Sequence, residues 1–144
     1  MEQSRKQLKT ASIIVLIFAG LSMINLILEI CFGELKGAEI PEGSPENILL
    51  ITKLILLSVS LLLMIPRFYV GFKGLIAVKK PGSLKSPIVW AALVMGFELV
   101  SVIGAIVAIV KQEDVGENVS LLCSALLEVL VYYDFIKCAR EAEK

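Results

Sequence analysis

The sequence predicts an all-α protein: a polytopic membrane four-helix bundle with both termini cytoplasmic and a long kinked second helix. Three observations carry that expectation. Hydrophobic residues make up 57% of the 144 positions, the mean hydropathy is +0.84, and only 19% are charged. Soluble domains run about 45–50% apolar with roughly a quarter charged. Four apolar stretches are each long enough to cross a hydrocarbon core roughly 30 Å thick, which takes about 20 helical residues. The polar joints between those stretches alternate in charge.

The balance of 14 basic against 14 acidic residues leaves a net charge of zero. A nucleic-acid partner is not expected, because that partner calls for a basic face. The chain has no histidine, so Ser-His-Asp and Cys-His catalysis, His-ligated zinc and His-ligated haem are excluded together. The expectation is a protein that is not an enzyme, with no catalytic residues, no cofactor and no metal site.

The first span covers 11–32, an apolar run too long and continuous for a signal peptide, with no small-x-small cleavage site after it. The second lies within 47–78. Ser44-Pro45-Glu46 offers it an N-cap hydroxyl followed by proline at the first helical position, and Lys79-Lys80-Pro81-Gly82 stops it. Ser86-Pro87 is the corresponding start for the third span, 88–110. A polar turn over 112–117 leads to the fourth, 118–136. With joints this short, 1–144 reads as a single transmembrane domain.

The second span is longer than a bilayer requires. A continuous helix over 45–80 would measure about 54 Å. In one reading it ends near Ile65, and Pro66 breaks it to an interfacial helix. In the other it continues, kinked, to Lys79-Lys80. Gly71, Gly74 and Ala77 suit close helix packing and favour the continuous helix.

Loop charges set the expected orientation. Arg5, Lys6 and Lys9 precede the first span, and Lys79, Lys80 and Lys85 lie between the second and third. Glu34, Glu39, Glu42 and Glu46 dominate the first joint, as Glu113, Asp114 and Glu117 dominate the third. Basic segments stay cytoplasmic, so the acidic joints face out. The expected location is the cell membrane, multi-pass.

An ionisable group at mid-bilayer costs roughly 2.5–3.5 kcal/mol on insertion scales, so it must face protein, water or a partner. Glu98 is about ten residues into its span from the inner side, and Glu128 about ten into its span from the outer side. In the continuous second helix Arg67 falls at the same depth. Arg67, Glu98 and Glu128, with Ser60, Ser101 and Ser124 on the same helical stripes, form a candidate intramembrane polar cluster. Ser22, Asn25 and Glu29 make a polar stripe on the first helix, and Glu29 near the outer boundary is placed to pair with Lys53. Such residues act either as interhelical glue, at about 0.6–2 kcal/mol each, or as a pathway for a proton or cation.

Ala92, Gly96, Gly104 and Ala108 form a small-residue stripe on the third helix, suited to packing within the bundle or to a homodimer seam. Trp90, Tyr69, Tyr132 and Tyr133 cluster toward the inner side as an aromatic belt would. Cys31 and Cys123 both fall toward the outer side, so a disulfide between them is conceivable, with free buried thiols as the default. Asn118-Val119-Ser120 matches a glycosylation sequon but sits at the membrane boundary.

The segment Gly71-Phe72-Lys73-Gly74-Leu75-Ile76-Ala77-Val78-Lys79-Lys80-Pro81, with Lys85 before the third helix, resembles small uncharacterised four-helix integral membrane proteins of Gram-positive bacteria. The likeness covers mainly the second and third helices and implies a fold without implying an activity. The function expected from the residues is a structural or accessory subunit held by intramembrane polar contacts. The alternative is a small oligomeric transporter or channel for a proton or cation that uses the glutamates. The expected partners are the lipid bilayer and a second copy or another membrane protein.

Overall fold

A computed structural model describes residues 2–32, 46–80 and 82–143. Four helices account for nearly all of them: α1 (Glu2–Phe32), α2 (Glu46–Lys79), α3 (Lys85–Val110) and α4 (Val115–Glu143). There is no strand among the described residues. All four helices are long and apolar enough to cross a membrane.

The helices run past the apolar segments because the flanking sequence is also helix-compatible. α1 begins at Glu2, whose carboxylate sits in the first turn and pairs with Lys6 at 2.9 Å, one helical turn on. α4 continues to Glu143 with Arg140 in its last turn, where a cation complements the helix dipole. Between α3 and α4 the chain turns sharply. Glu113 N–H bonds the Ala108 carbonyl and Gln112 N–H that of Ile109, both at 3.0 Å, with Gln112 at φ 61°. This is the Schellman closure, here without the usual glycine.

α1 packs against α2 and α4, and α3 packs against α4 and α2. Ser12 and Phe135 flank Gly74 at one level, while Ser22, Arg67 and Glu128 meet at another. Residue numbers thus rise along α1 as they fall along α2 and α4, so neighbours are antiparallel. Each buried stripe follows helical spacing. It is Leu8, Ala11, Ser12, Val15 and Ala19 on α1, and Pro87, Ala91, Val94, Glu98, Val102 and Ala105 on α3. On α4 it includes Ala125, Glu128, Tyr132, Phe135 and Ala139. Leu, Ile, Val and Phe cover the outside, with Leu62, Val100 and Leu130 all more than 60% exposed. In lipid that exterior carries no penalty, and helix association must come from close packing and polar contacts.

The closest packing lies where α2 meets α1 and α4. A methyl group built on Gly71 would fall 2.5 Å from Leu16 Cγ, and one on Gly74 would fall 2.7 Å from the Phe135 ring and against the Ser12 hydroxyl. The Ser12 hydroxyl donates to the Leu8 carbonyl at 2.7 Å, so it presents no unpaired group to this contact. α2 passes through Pro66 as one helix, although proline removes the amide that would bond the Leu62 carbonyl.

Three expectations are corrected. α3 starts at Lys85, so Ser86 and Pro87 lie inside its first turn, and Leu84 occupies the N-cap without a side-chain cap bond. The Glu143 carboxylate from the end of α4 instead accepts the Leu84 N–H at 2.7 Å, and Ser86 Oγ lies 2.9 Å from the Tyr69 hydroxyl. Tyr132 belongs to the core, at 1% exposure, and not to an aromatic belt. Cys31 and Cys123 are free and exposed, and the buried thiol is Cys138. The expected N-cap at Ser44-Pro45 falls outside the described residues.

Gly74→Ala is expected to destabilise the bundle by about 1–3 kcal/mol through overpacking. Gly96→Ala and Gly104→Ala, where an added methyl meets nothing within 4 Å, should hold or raise stability by up to about 1 kcal/mol through helix propensity. Thermal unfolding in detergent micelles measures all three.

Candidate functional site

Each buried stripe carries one polar residue at the same level of the bundle. On α1 Ser22 follows Ala19 by three positions, extending the run from Leu8. On α2 Arg67 precedes Val70, Gly71 and Gly74, which the packing turns inward. On α3 Glu98 follows Val94 by four, and on α4 Glu128 precedes Tyr132 by four. Burying the apolar members of the stripes therefore brings the four polar ones together.

Arg67 is the centre. Its Nη2 donates to Glu98 Oε1, and its Nη1 donates to Glu128 Oε2 at 2.5 Å. Ser22 Oγ donates to Glu128 Oε1 at 3.2 Å and lies 3.5 Å from Arg67 Nη1. The side chains of Arg67, Glu98 and Glu128 are 15%, 10% and 9% exposed. A guanidinium can span two carboxylates because its donors diverge in a rigid plane, which a lysine ammonium cannot copy. Among the described residues no buried side-chain nitrogen or oxygen lacks a hydrogen-bond partner. That satisfaction decides whether the cluster is tolerable, since a buried unpaired charge costs several kcal/mol.

Beside the cluster, a cavity of about 400 Å³ lies between α2 and α3, with Leu26 of α1 also on its wall. Arg67 and Glu98 reach its wall, and Glu128 is not among its lining residues. Ser60 and Ser101 add two hydroxyls, Trp90 and Phe97 add rings, and the remaining wall is aliphatic. The Ser101 hydroxyl also donates to the Phe97 carbonyl at 3.3 Å.

Of the residues singled out in the sequence, Arg67, Glu98 and Glu128 are in contact, and Ser60 and Ser101 line the adjoining cavity. Ser124 is exposed and takes no part. The buried stripe of α4 runs through Ala125 and Glu128, and one residue earlier is turned away by about 100°. Ser22 takes the hydroxyl role instead. Its signal was present in its spacing from Ala11, Val15 and Ala19, but nothing in the sequence said which helix would face Glu128. Asn25, three residues after Ser22, is exposed. Ala92, Gly96 and Gly104 are exposed and Ala108 half-buried, so this stripe does not pack inside the bundle. The pairing of Glu29 with Lys53 rests on the Glu29 side chain, which lies outside the described set. Among the described residues no group of three or more His, Cys, Asp or Glu could hold a metal ion.

Arg67→Met should cost about 3–5 kcal/mol, because it strands two buried carboxylates. Adding Glu98→Gln and Glu128→Gln to it should restore more than half of the loss. Unfolding midpoints in detergent for the single and triple variants test this, and a triple variant no more stable than Arg67→Met would contradict it.

No family model, curated protein or solved structure matches this chain.

Proposed function

We propose that this chain is a small multi-pass protein of the cell membrane with a structural or accessory role, its bundle locked by the Arg67 cluster. One observation carries the proposal: Arg67, Glu98, Glu128 and Ser22 satisfy one another across all four helices. A residue set that cross-links every helix is what interhelical glue requires. The Gly71–Pro81 segment of the sequence supports placing the chain beside small four-helix membrane proteins of Gram-positive bacteria. A non-enzymatic role goes with it, since a chain without histidine lacks the Ser-His-Asp and Cys-His arrangements.

In this role the protein should copurify from membranes, in mild detergent, with a stoichiometric membrane partner or a second copy. Recovery as a stable monomer with nothing bound would count against it. Topology has its own test. Lys6, Lys9, Lys79 and Lys85 support cytoplasmic termini. A fluorescent protein fused after Lys144 should fluoresce, and alkaline phosphatase fused at Asp114 should be active. The opposite pattern would invert the orientation.

A second reading, transport of a proton or cation, is favoured by the cavity that reaches Arg67 and Glu98. It requires Glu98→Gln and Glu128→Gln to abolish flux in proteoliposomes, and unchanged flux would eliminate it.

A further inference from the structure

The α2–α3 cavity goes beyond a structural role and does not depend on it. We infer that it is a binding site for a lipophilic organic cation, which enters sideways from the membrane and pairs with Glu98.

Charge balance is the first argument. One guanidinium faces two carboxylates within hydrogen-bond distance. When both are ionised the cluster holds one excess negative charge, which a low-dielectric interior penalises heavily. Glu128 is held by Arg67 and by the Ser22 hydroxyl. Among the described residues Glu98 has Arg67 as its hydrogen-bond donor and also lines the cavity. An added positive charge is therefore accommodated at Glu98. An anion is not, because Arg67 already serves both carboxylates.

The cavity walls decide what kind of cation. Alkali and alkaline-earth ions need a shell of about six oxygens, and this wall offers Glu98, Ser60 and Ser101 amid apolar side chains. A large organic cation with a delocalised or shielded charge needs no such shell. It gains from apolar contact and from aromatic faces, which Trp90 and Phe97 supply within the same wall. The volume, about 400 Å³, lies in the range typical of small-molecule pockets, roughly 300–1,000 Å³.

The entrance is also defined. Leu63, Phe97 and Val100 line the cavity and are 57%, 65% and 67% exposed. They belong to faces of α2 and α3 that carry apolar side chains outward, so the opening faces hydrocarbon. A ligand that partitions into the bilayer reaches Glu98 without crossing the packed core around Tyr132 and Phe135.

Trp90 is the only tryptophan in the sequence, so its fluorescence reports on this cavity alone. The test uses the purified full chain in detergent micelles. Equilibrium dialysis and Trp90 emission are followed with tetraphenylphosphonium, and with tetraphenylborate as an anion of similar shape, after subtracting protein-free micelles. The expected result is saturable phosphonium binding, one per chain, with a change in Trp90 emission and at least tenfold weaker borate binding. Glu98→Gln should lower phosphonium affinity tenfold or more, and Ser60→Phe, which fills the cavity away from the ion cluster, should abolish it. Absence of saturable phosphonium binding, or equal binding of the two ions, overturns the inference whether or not the variants fold. Phosphonium binding unaffected by either variant, in protein that retains its helical circular dichroism, also overturns it. Loss of a copurifying partner would leave these outcomes unchanged, so the two proposals fail separately.

Discussion

A bundle in lipid cannot rely on the hydrophobic effect to choose its inside, since hydrocarbon tails are as apolar as leucine. What distinguishes inside from outside here is the demand that charged groups find each other. Glu98 and Glu128 sit about midway along α3 and α4 and Arg67 about two thirds of the way along α2, and none can face lipid without a penalty of several kcal/mol. Their mutual contact sets the rotation of α2, α3 and α4 about their own axes, and Ser22 adds α1 to the same arrangement.

The rest of the packing is compatible with that choice and refines it. Below the cluster, Gly71 and Gly74 let α2 approach Ser12, Leu16 and Phe135 at distances any side chain would obstruct. Above it, the first half of α2 is largely exposed, with Leu50, Ile55 and Leu62 turned outward. The described residues therefore form a closely packed end, a charged centre, and an end where α2 is largely exposed. The cavity between α2 and α3 lies at the boundary between the packed and unpacked parts. There Arg67 and Glu98 are within reach of whatever occupies it.

Depth along each helix was legible in the sequence because it depends only on counting residues from a boundary. With the second helix continuous through Pro66, that count sets Arg67, Glu98 and Glu128 at one level, and in the structure they touch. Azimuth was less legible. Ser124 shares a stripe with Glu128 in sequence spacing, yet it is exposed, because the α4 stripe that packs is offset by one residue through Ala125. Likewise Gly96 and Gly104 are spaced for a seam within the bundle, but Ala91, Val94 and Glu98 define the face that α3 buries there. Spacing identifies which residues share a face; it does not say which face a neighbour will cover.

Composition and periodicity alone determined the all-α class, four apolar segments long enough to cross a membrane, and the positions of the polar residues along them. All of these follow from local geometry, the rise per residue and the cost of exposing polar groups to hydrocarbon. Only the tertiary structure decided that Ser22 joins the cluster, that Glu143 caps α3, and that a cavity opens beside Glu98 and not beside Glu128. Those outcomes depend on contacts between residues far apart in the chain, where side-chain volumes on different helices must fit at once. No single helix carries that information.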